Sequence, residues 1–327
     1  MGLSAGHAKQ ASSIAVLGLV VIALTGCARP GPFGIVFISG QGSDREIYRI
    51  LSDGTGLERL TNNDYAEWTA EVSPDGSKIL FDRSADGMGR QMCMLDVDSG
   101  DISQLIDDHA PMVNVAGDWS PDRTQVALLN DRGGVYWLYL MNPDGSNLRH
   151  VPLSTDPARD VVHVSWAPDG QRMVYGTAEH IHAPQALTPT LFIVDLSTLE
   201  SAQLTNGEEH GACSQPDWSW DGEWIAMVCT RGISAGDHGQ VYIIRPDGTD
   251  FQQATTRPGD YEPDVRPDTS LTWVMDPNWS PDGKEIVYRA SVDGPWNIYI
   301  IGSDGQNNRR LTEHDVADWS LSVYQAP

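Results

Sequence analysis

Short apolar stretches recur along the chain. Most show the period-2 alternation of a half-buried strand or the unbroken run of one covered on both faces. Lys284–Ser291 reads KEIVYRAS, Ser77–Ser84 reads SKILFDRS, and Asn297–Gly302 reads NIYIIG. Leu191–Leu196 (LFIVDL) and Val241–Ile244 (VYII) continue the series. β-branched and aromatic residues fill these stretches, and no apolar stripe at helical spacing competes with them. The pattern predicts an all-β protein.

What separates the strands is as regular as the strands. VSPDG (72–76), WSPDR (119–123), WAPDG (166–170), WSWDG (218–222) and WSPDG (279–283) are variants of one turn, and DWSLS (318–322) is a last fragment. Proline fixes φ and glycine takes positive φ, the chemistry of a tight hairpin. The turn aspartates Asp75, Asp122, Asp169, Asp221 and Asp282 lie 47, 47, 52 and 61 residues apart. A period in the forties, loosened by insertions, marks a propeller. Each unit adds a second Asp-Gly turn, as in SDGTG (52–56) or RPDGTD (245–250), and a short last strand such as LERLT or RRLT. Four strands per unit, A to D, and fourth strands ending near Thr61, Ile106, Val151, Thr205, Thr255 and Thr312 predict six blades. The first unit begins directly in strand B at Phe33–Ser39. Its missing strand A is expected from Val316–Ser322, so that this last strand closes the ring on the first blade and leaves no edge open.

The repeat W-S-P-D-G…I-x-Y…I-Y…D-G…L-T resembles the TolB-type β-propeller repeat across residues 33–322. The resemblance implies the six-bladed fold and leaves chemistry open. Family members that carry an α/β domain ahead of the propeller differ from this chain between Cys27 and Phe33, so their protein partner is not carried over. Other TolB-like propellers are pectate-fragment lyases that use histidines and a divalent metal, which keeps an enzymatic alternative open.

The apolar run Ile14–Leu24 is shorter than a membrane-spanning helix and fits a signal h-region. It leads into Leu24-Thr25-Gly26-Cys27, which resembles a bacterial lipobox. The expectation is a signal peptide over 1–26, lipid on Cys27, a tether over 27–32 and one propeller over 33–327, anchored to a membrane and facing the periplasm or exterior. The formal net charge of −24 argues against nucleic-acid partners and favours solubility. Cys213 and Cys229 flank the WSWDG turn, so a cross-strand disulfide fits a hairpin centred on Asp221-Gly222 in an exported protein. Cys93 is left over and expected to be buried.

In a propeller the A–B and C–D turns share one face, here called the bottom, and the B–C and D–A loops share the top. The bottom turns are uniform. Four insertions gather on top, over blades 4 to 6, at 176–190, 206–215, 230–239 and 256–276. Binding residues concentrate on such loops. The expected contacts are His180, His182, His210, His238, Tyr261, Arg266 and Trp273. One residue before the tryptophan of each turn stand Glu71, Asp118, Ser165, Asp217, Asn278 and Asp318, preceded by residues such as Ala70 and Gly117. Such a ring lining the channel would suit Ca²⁺ through Glu71, Asp118, Asp217 and Asp318, or else hydrogen bonds between blades. No Gly-x-Ser-x-Gly nucleophile and no phosphate-binding glycine loop is present. The favoured function is a non-catalytic, monomeric propeller docking an envelope protein or glycan on its top face. The alternative is a metal-assisted polysaccharide lyase or hydrolase using the top-face histidines.

Overall fold

The computed structural model describes residues 31–326, apart from 85–89, 107–113, 132–133, 154–158, 180–188, 231–238, 256–272, 292–293 and 314–316. Six four-stranded antiparallel sheets form the blades of a propeller. Blade 1 has the strand order Asp318–Tyr324, Gly34–Ser39, Glu46–Leu51, Glu58–Arg59, so ring closure by a strand from far down the chain is as expected. Blades 2 to 6 run A to D in chain order, with A strands Ala66–Val72, Asn114–Trp119, Arg159–Trp166, Ala212–Trp218 and Trp273–Trp279. The fourth strands are only two or three residues long and mostly exposed. The single 3₁₀ turn among the described residues is Gly42–Asp44, on the top loop of blade 1.

The Ser-Pro-Asp-Gly turn persists because its side chains complete its hydrogen bonds. Ser120 Oγ donates to Asp122 Oδ1 at 2.7 Å and accepts from the Gln125 amide at 2.9 Å. Asp122 Oδ1 also accepts from the Thr124 amide at 3.0 Å. Ser280 and Asp282 repeat the arrangement, with Gly283 at φ +68°. A second device ends four of the six units: a threonine at the end of the last strand turns its hydroxyl back to strand C. Thr61, Thr205, Thr255 and Thr312 accept from the amides of Ile47, Leu191, Val241 and Ile298 at 2.8–3.0 Å.

Burial lies between blades. Trp119, Trp166, Trp218 and Trp279, the first residues of the turn motifs, are all at most 5 % exposed and join clusters that span neighbouring sheets. The 6–1 seam packs Ile298 and Ile300 against Ile35, Phe37 and Val323. Burying aromatic and branched side chains at about 25 cal/mol per Å² supplies the main cohesion of the ring. Cys213 and Cys229 oppose each other in register and are disulfide-bonded. Cys93 is free and buried, and burial pushes its thiol up to about 11.

Candidate functional site

The six A strands surround a central channel of about 790 Å³. At its waist, three of the four polar residues that precede a motif tryptophan reach across to the next blade, whereas Asn278 donates to Asp276 O in its own strand. Asp118 Oδ2 accepts from the Trp166 amide at 2.6 Å, while Oδ1 caps its own Trp119 amide at 2.6 Å. Ser165 Oγ accepts from the Trp218 amide at 3.1 Å, and Asp217 Oδ2 from the Trp279 amide at 2.7 Å. Ser322 Oγ accepts from the Val72 amide at 3.2 Å. The waist is therefore a set of latches between blades, and among the described residues no three acidic, histidine or cysteine side chains are grouped to hold a metal ion. Burial pushes Asp118 to about 7 and Asp217 to about 8, the latter helped by the charge of Asp118. Glu71 is raised well above the usual carboxylate range, first by burial and then by Asp118. Asp118 and Asp217 are engaged as acceptors of backbone amides on the neighbouring blades.

Asp318 does not belong to this ring. The clasp strand pairs Val323 with Ile35 and Ser322 with Val36, so Ser322 holds the sixth position and Asp318 lies four residues nearer the top. It is fully buried there and accepts from Thr312 Oγ1 at 2.6 Å. The true sequence match is DWSLSV (318–323) with EWTAEV (67–72), not with the WSPDG turn. That alignment pairs Trp319 with Trp68, and both indoles stand at the upper mouth of the channel.

Above the waist, irregularities in the A strands bring further polar side chains to the channel. His163, Gln215, Asp276 and Ser320 take positive φ, from 40° to 54°, at register shifts. Blade 3 has Gly117 at its shift, where a Cβ would meet Val164 Cγ2 at 2.8 Å and Ala127 O at 3.0 Å. Enclosure by protein lowers the pKa of His163, although its side chain is exposed to the channel. Asp276 accepts from Gln215 Nε2 at 2.8 Å and from Arg289 Nε at 2.8 Å. Arg289 also donates to Asp318 O at 3.0 Å.

At the mouth itself, over blades 1 and 2, Arg45 lies on Trp68, its Cζ 3.4 Å from the ring centroid and 5.7 Å from that of Trp319. Arg90 stands 4.3 Å from the same Trp68 ring and pairs with Asp82 at 3.0 Å. Both indole N–H groups are tied, Trp68 to Ser84 Oγ at 2.9 Å and Trp319 to Gly40 O at 3.1 Å, which fixes the ring planes. Arg45 is held by its Nε donating to Gly42 O and its carbonyl accepting from the Glu67 amide. Its pKa is lowered, first by partial burial and then by Arg90, with Asp82 opposing. Sequence reasoning missed this cluster. Its residues come from short loops and strand ends, and the only local signal was the paired [DE]-W-[ST] segments.

Of the expected loop contacts, His180, His182, His238, Tyr261 and Arg266 lie outside the described residues. Trp273 begins the A strand of blade 6. His210 is 4 % exposed and packs edge-on against Phe251 at 4.6 Å, with its Nδ1 accepting from the Asn206 amide. It is thus a packing residue rather than a surface contact.

No protein-family model matches the sequence. A Tol-Pal system protein TolB of Bordetella pertussis is 32% identical over 182 residues, 56% of this chain and 35% of that protein. A TolB homolog of Chlorobium luteolum is 30% identical over 180 residues, 54% of this chain and 37% of that protein. The crystal structure of TolB from Acinetobacter baumannii superposes with a TM-score of 0.69 at 15% identity, covering 89% of this chain and 66% of that one. The chain is a TolB-like six-bladed propeller. An oligogalacturonate lyase from Vibrio parahaemolyticus shares the propeller at a TM-score of 0.53 and 14% identity, over 81% of this chain and 74% of that one. The TolB-like chain spans little more than a third of the length of these two curated relatives.

Proposed function

We propose that this TolB-like propeller is a non-catalytic, extracytoplasmic binding protein that docks an envelope protein or glycan on its top face and is held at a membrane by lipid on Cys27. One observation carries the reading: the channel carboxylates Asp118 and Asp217, which a catalyst or metal site would present, are engaged with backbone amides of the neighbouring blade. The aromatic and arginine side chains of the top mouth are, in contrast, the residue types that anchor interfaces. Similarity to a Tol-Pal system protein supports an envelope setting. Cross-linking in native cells followed by mass spectrometry tests it. One dominant envelope protein linked through top-face segments is the expected outcome, and capture of none by any top-face segment would count against docking. Cys27 lipidation is tested separately by metabolic labelling with a palmitate analogue, which Cys27→Ser should abolish.

A second reading, a metal-assisted lyase, is favoured by the likeness in fold to the oligogalacturonate lyase. Elemental analysis of the purified chain distinguishes it: a stoichiometric transition metal lost on changing His180 and His182 together would replace the binding-module reading.

A further inference from the structure

The mouth of the channel contains a cation that meets no counter-ion among the described residues. Among the described residues no carboxylate lies within ion-pair distance of Arg45, whereas Arg59, Arg90, Arg245 and Arg289 each have one. The only side-chain hydrogen bond of Arg45 among the described residues leaves through Nε to Gly42 O at 3.1 Å, so the two terminal nitrogens point their donors elsewhere. Asp82, the acid whose charge acts on Arg45 among the described residues, is fully buried and paired with Arg90 and Thr69. Two guanidinium groups therefore share a single indole, with Asp82 the one carboxylate paired to either among the described residues, on a protein whose formal net charge is −24. A partly desolvated, unpaired guanidinium is unfavourable unless something completes it. Arginine presents a planar fork that matches a carboxylate with two parallel hydrogen bonds.

The surroundings are arranged rather than incidental. Trp68 and Trp319 have their N–H groups tied, so their faces are held still for stacking. Trp319 is 37 % exposed, one of three exposed large hydrophobic side chains in the described protein. Immediately below, Val161 and Leu321 line the channel wall beside Gln215 and Ser320, whose side chains are held by Asp276 and by the Ala70 amide, so the wall under the guanidinium is apolar and fixed and suits small side chains. Acids of the waist lie deeper and are latched to the blades, so they do not compete for Arg45.

We propose that the upper mouth is a carboxylate-binding site, in which Arg45 receives the C-terminal carboxylate of an extended peptide and Trp68 and Trp319 flank the last side chains. The proposal rests on the top face being the docking face and adds the chemistry it selects. A partner can be captured there without a free C-terminus, so cross-linking can succeed while this proposal fails.

The test uses the full chain, with acetyl-Ala-Ala-Ala bearing a free carboxylate as the probe and the same peptide as its C-terminal amide for comparison. Binding is followed by calorimetry and by the indole N–H signals of Trp68 and Trp319 in NMR spectra. The acid should shift both signals and bind at least tenfold more tightly than the amide, with affinity falling as salt rises. Arg45→Gln should abolish the difference between acid and amide. Arg45→Lys, which keeps the charge and loses the fork, should retain part of it. Equal binding of acid and amide would overturn the proposal, as would an unchanged preference in Arg45→Gln. Digalacturonate displacing the acid peptide with higher affinity would overturn the peptide assignment and move the same carboxylate chemistry to an acidic sugar.

Discussion

Asp118 and Arg45 face the same channel and are treated in opposite ways. Asp118 accepts two backbone amides, one from its own blade and one from the next, and burial holds its pKa near 7. Arg45 is stacked and oriented, yet its terminal nitrogens meet no acid among the described residues. The waist uses polar groups to join blades, and the mouth holds one ready. A buried polar group with its partners supplied contributes to cohesion, whereas one held in place without a partner points to something outside the chain. Within one propeller, that difference separates architecture from recognition.

Several changes would break or sharpen this contrast. Replacing Cys213 and Cys229 together by serine opens a link across 16 positions of sequence and should lower stability by about 3 kcal/mol in denaturant unfolding. Peptide binding at the mouth should not change, which makes this pair a control for stability alone. Asp217→Ala removes the acceptor for the Trp279 amide and for Ser165 Oγ, and should cost roughly 2 kcal/mol, while Asp217→Asn keeps an acceptor oxygen and should cost under about 1 kcal/mol. If both behave alike, the latch is not what Asp217 provides.

A pH series tests the same point more gently. Asp217 has a folded-state pKa of about 8 against an ordinary value of 3.8, and Asp118 one of about 7. The folded protein thus binds more protons than the unfolded chain between about pH 4 and 8, so stability falls as pH rises through that window. Thermal unfolding should occur at higher temperature at pH 5.5 than at pH 8.5, and Asp217→Asn should flatten the slope. Asp118 and Asp217 are only half-buried, so solvent screening makes the slope shallower than full burial would. The smallest effect belongs to the mouth. Arg45→Gln should change stability by less than about 0.5 kcal/mol, since no ion pair is lost. A loss comparable to that of Asp217→Ala would show Arg45 to be structural.

The blades were legible because each repeats its own punctuation. The Ser-Pro-Asp-Gly turn and the Leu-Thr ending are local devices, and their hydrogen bonds close within a few residues or one hairpin. Closure by the last strand was legible too, but its register was not. DWSLS looks like a turn motif, and only pairing with Gly34–Ser39 shows that Ser322 occupies the ring position assigned to Asp318. The mouth was hidden for a related reason. Arg45, Trp68 and Trp319 converge from three separated segments joined by short connections, while loop length drew attention to blades 4 to 6. His210 illustrates the hazard of that cue, for a histidine in an insertion turned inward onto Phe251.

The pairing of Gly34–Ser39 with Asp318–Tyr324 also sets a timetable. During synthesis, the outer strands of blade 1 emerge first and wait for some 280 further residues before their inner neighbour exists. Through that interval the nascent protein exposes an unpaired strand edge rich in isoleucine and phenylalanine, a surface on which chaperones or other chains act. A stop codon before Asp318 would leave it in that condition permanently.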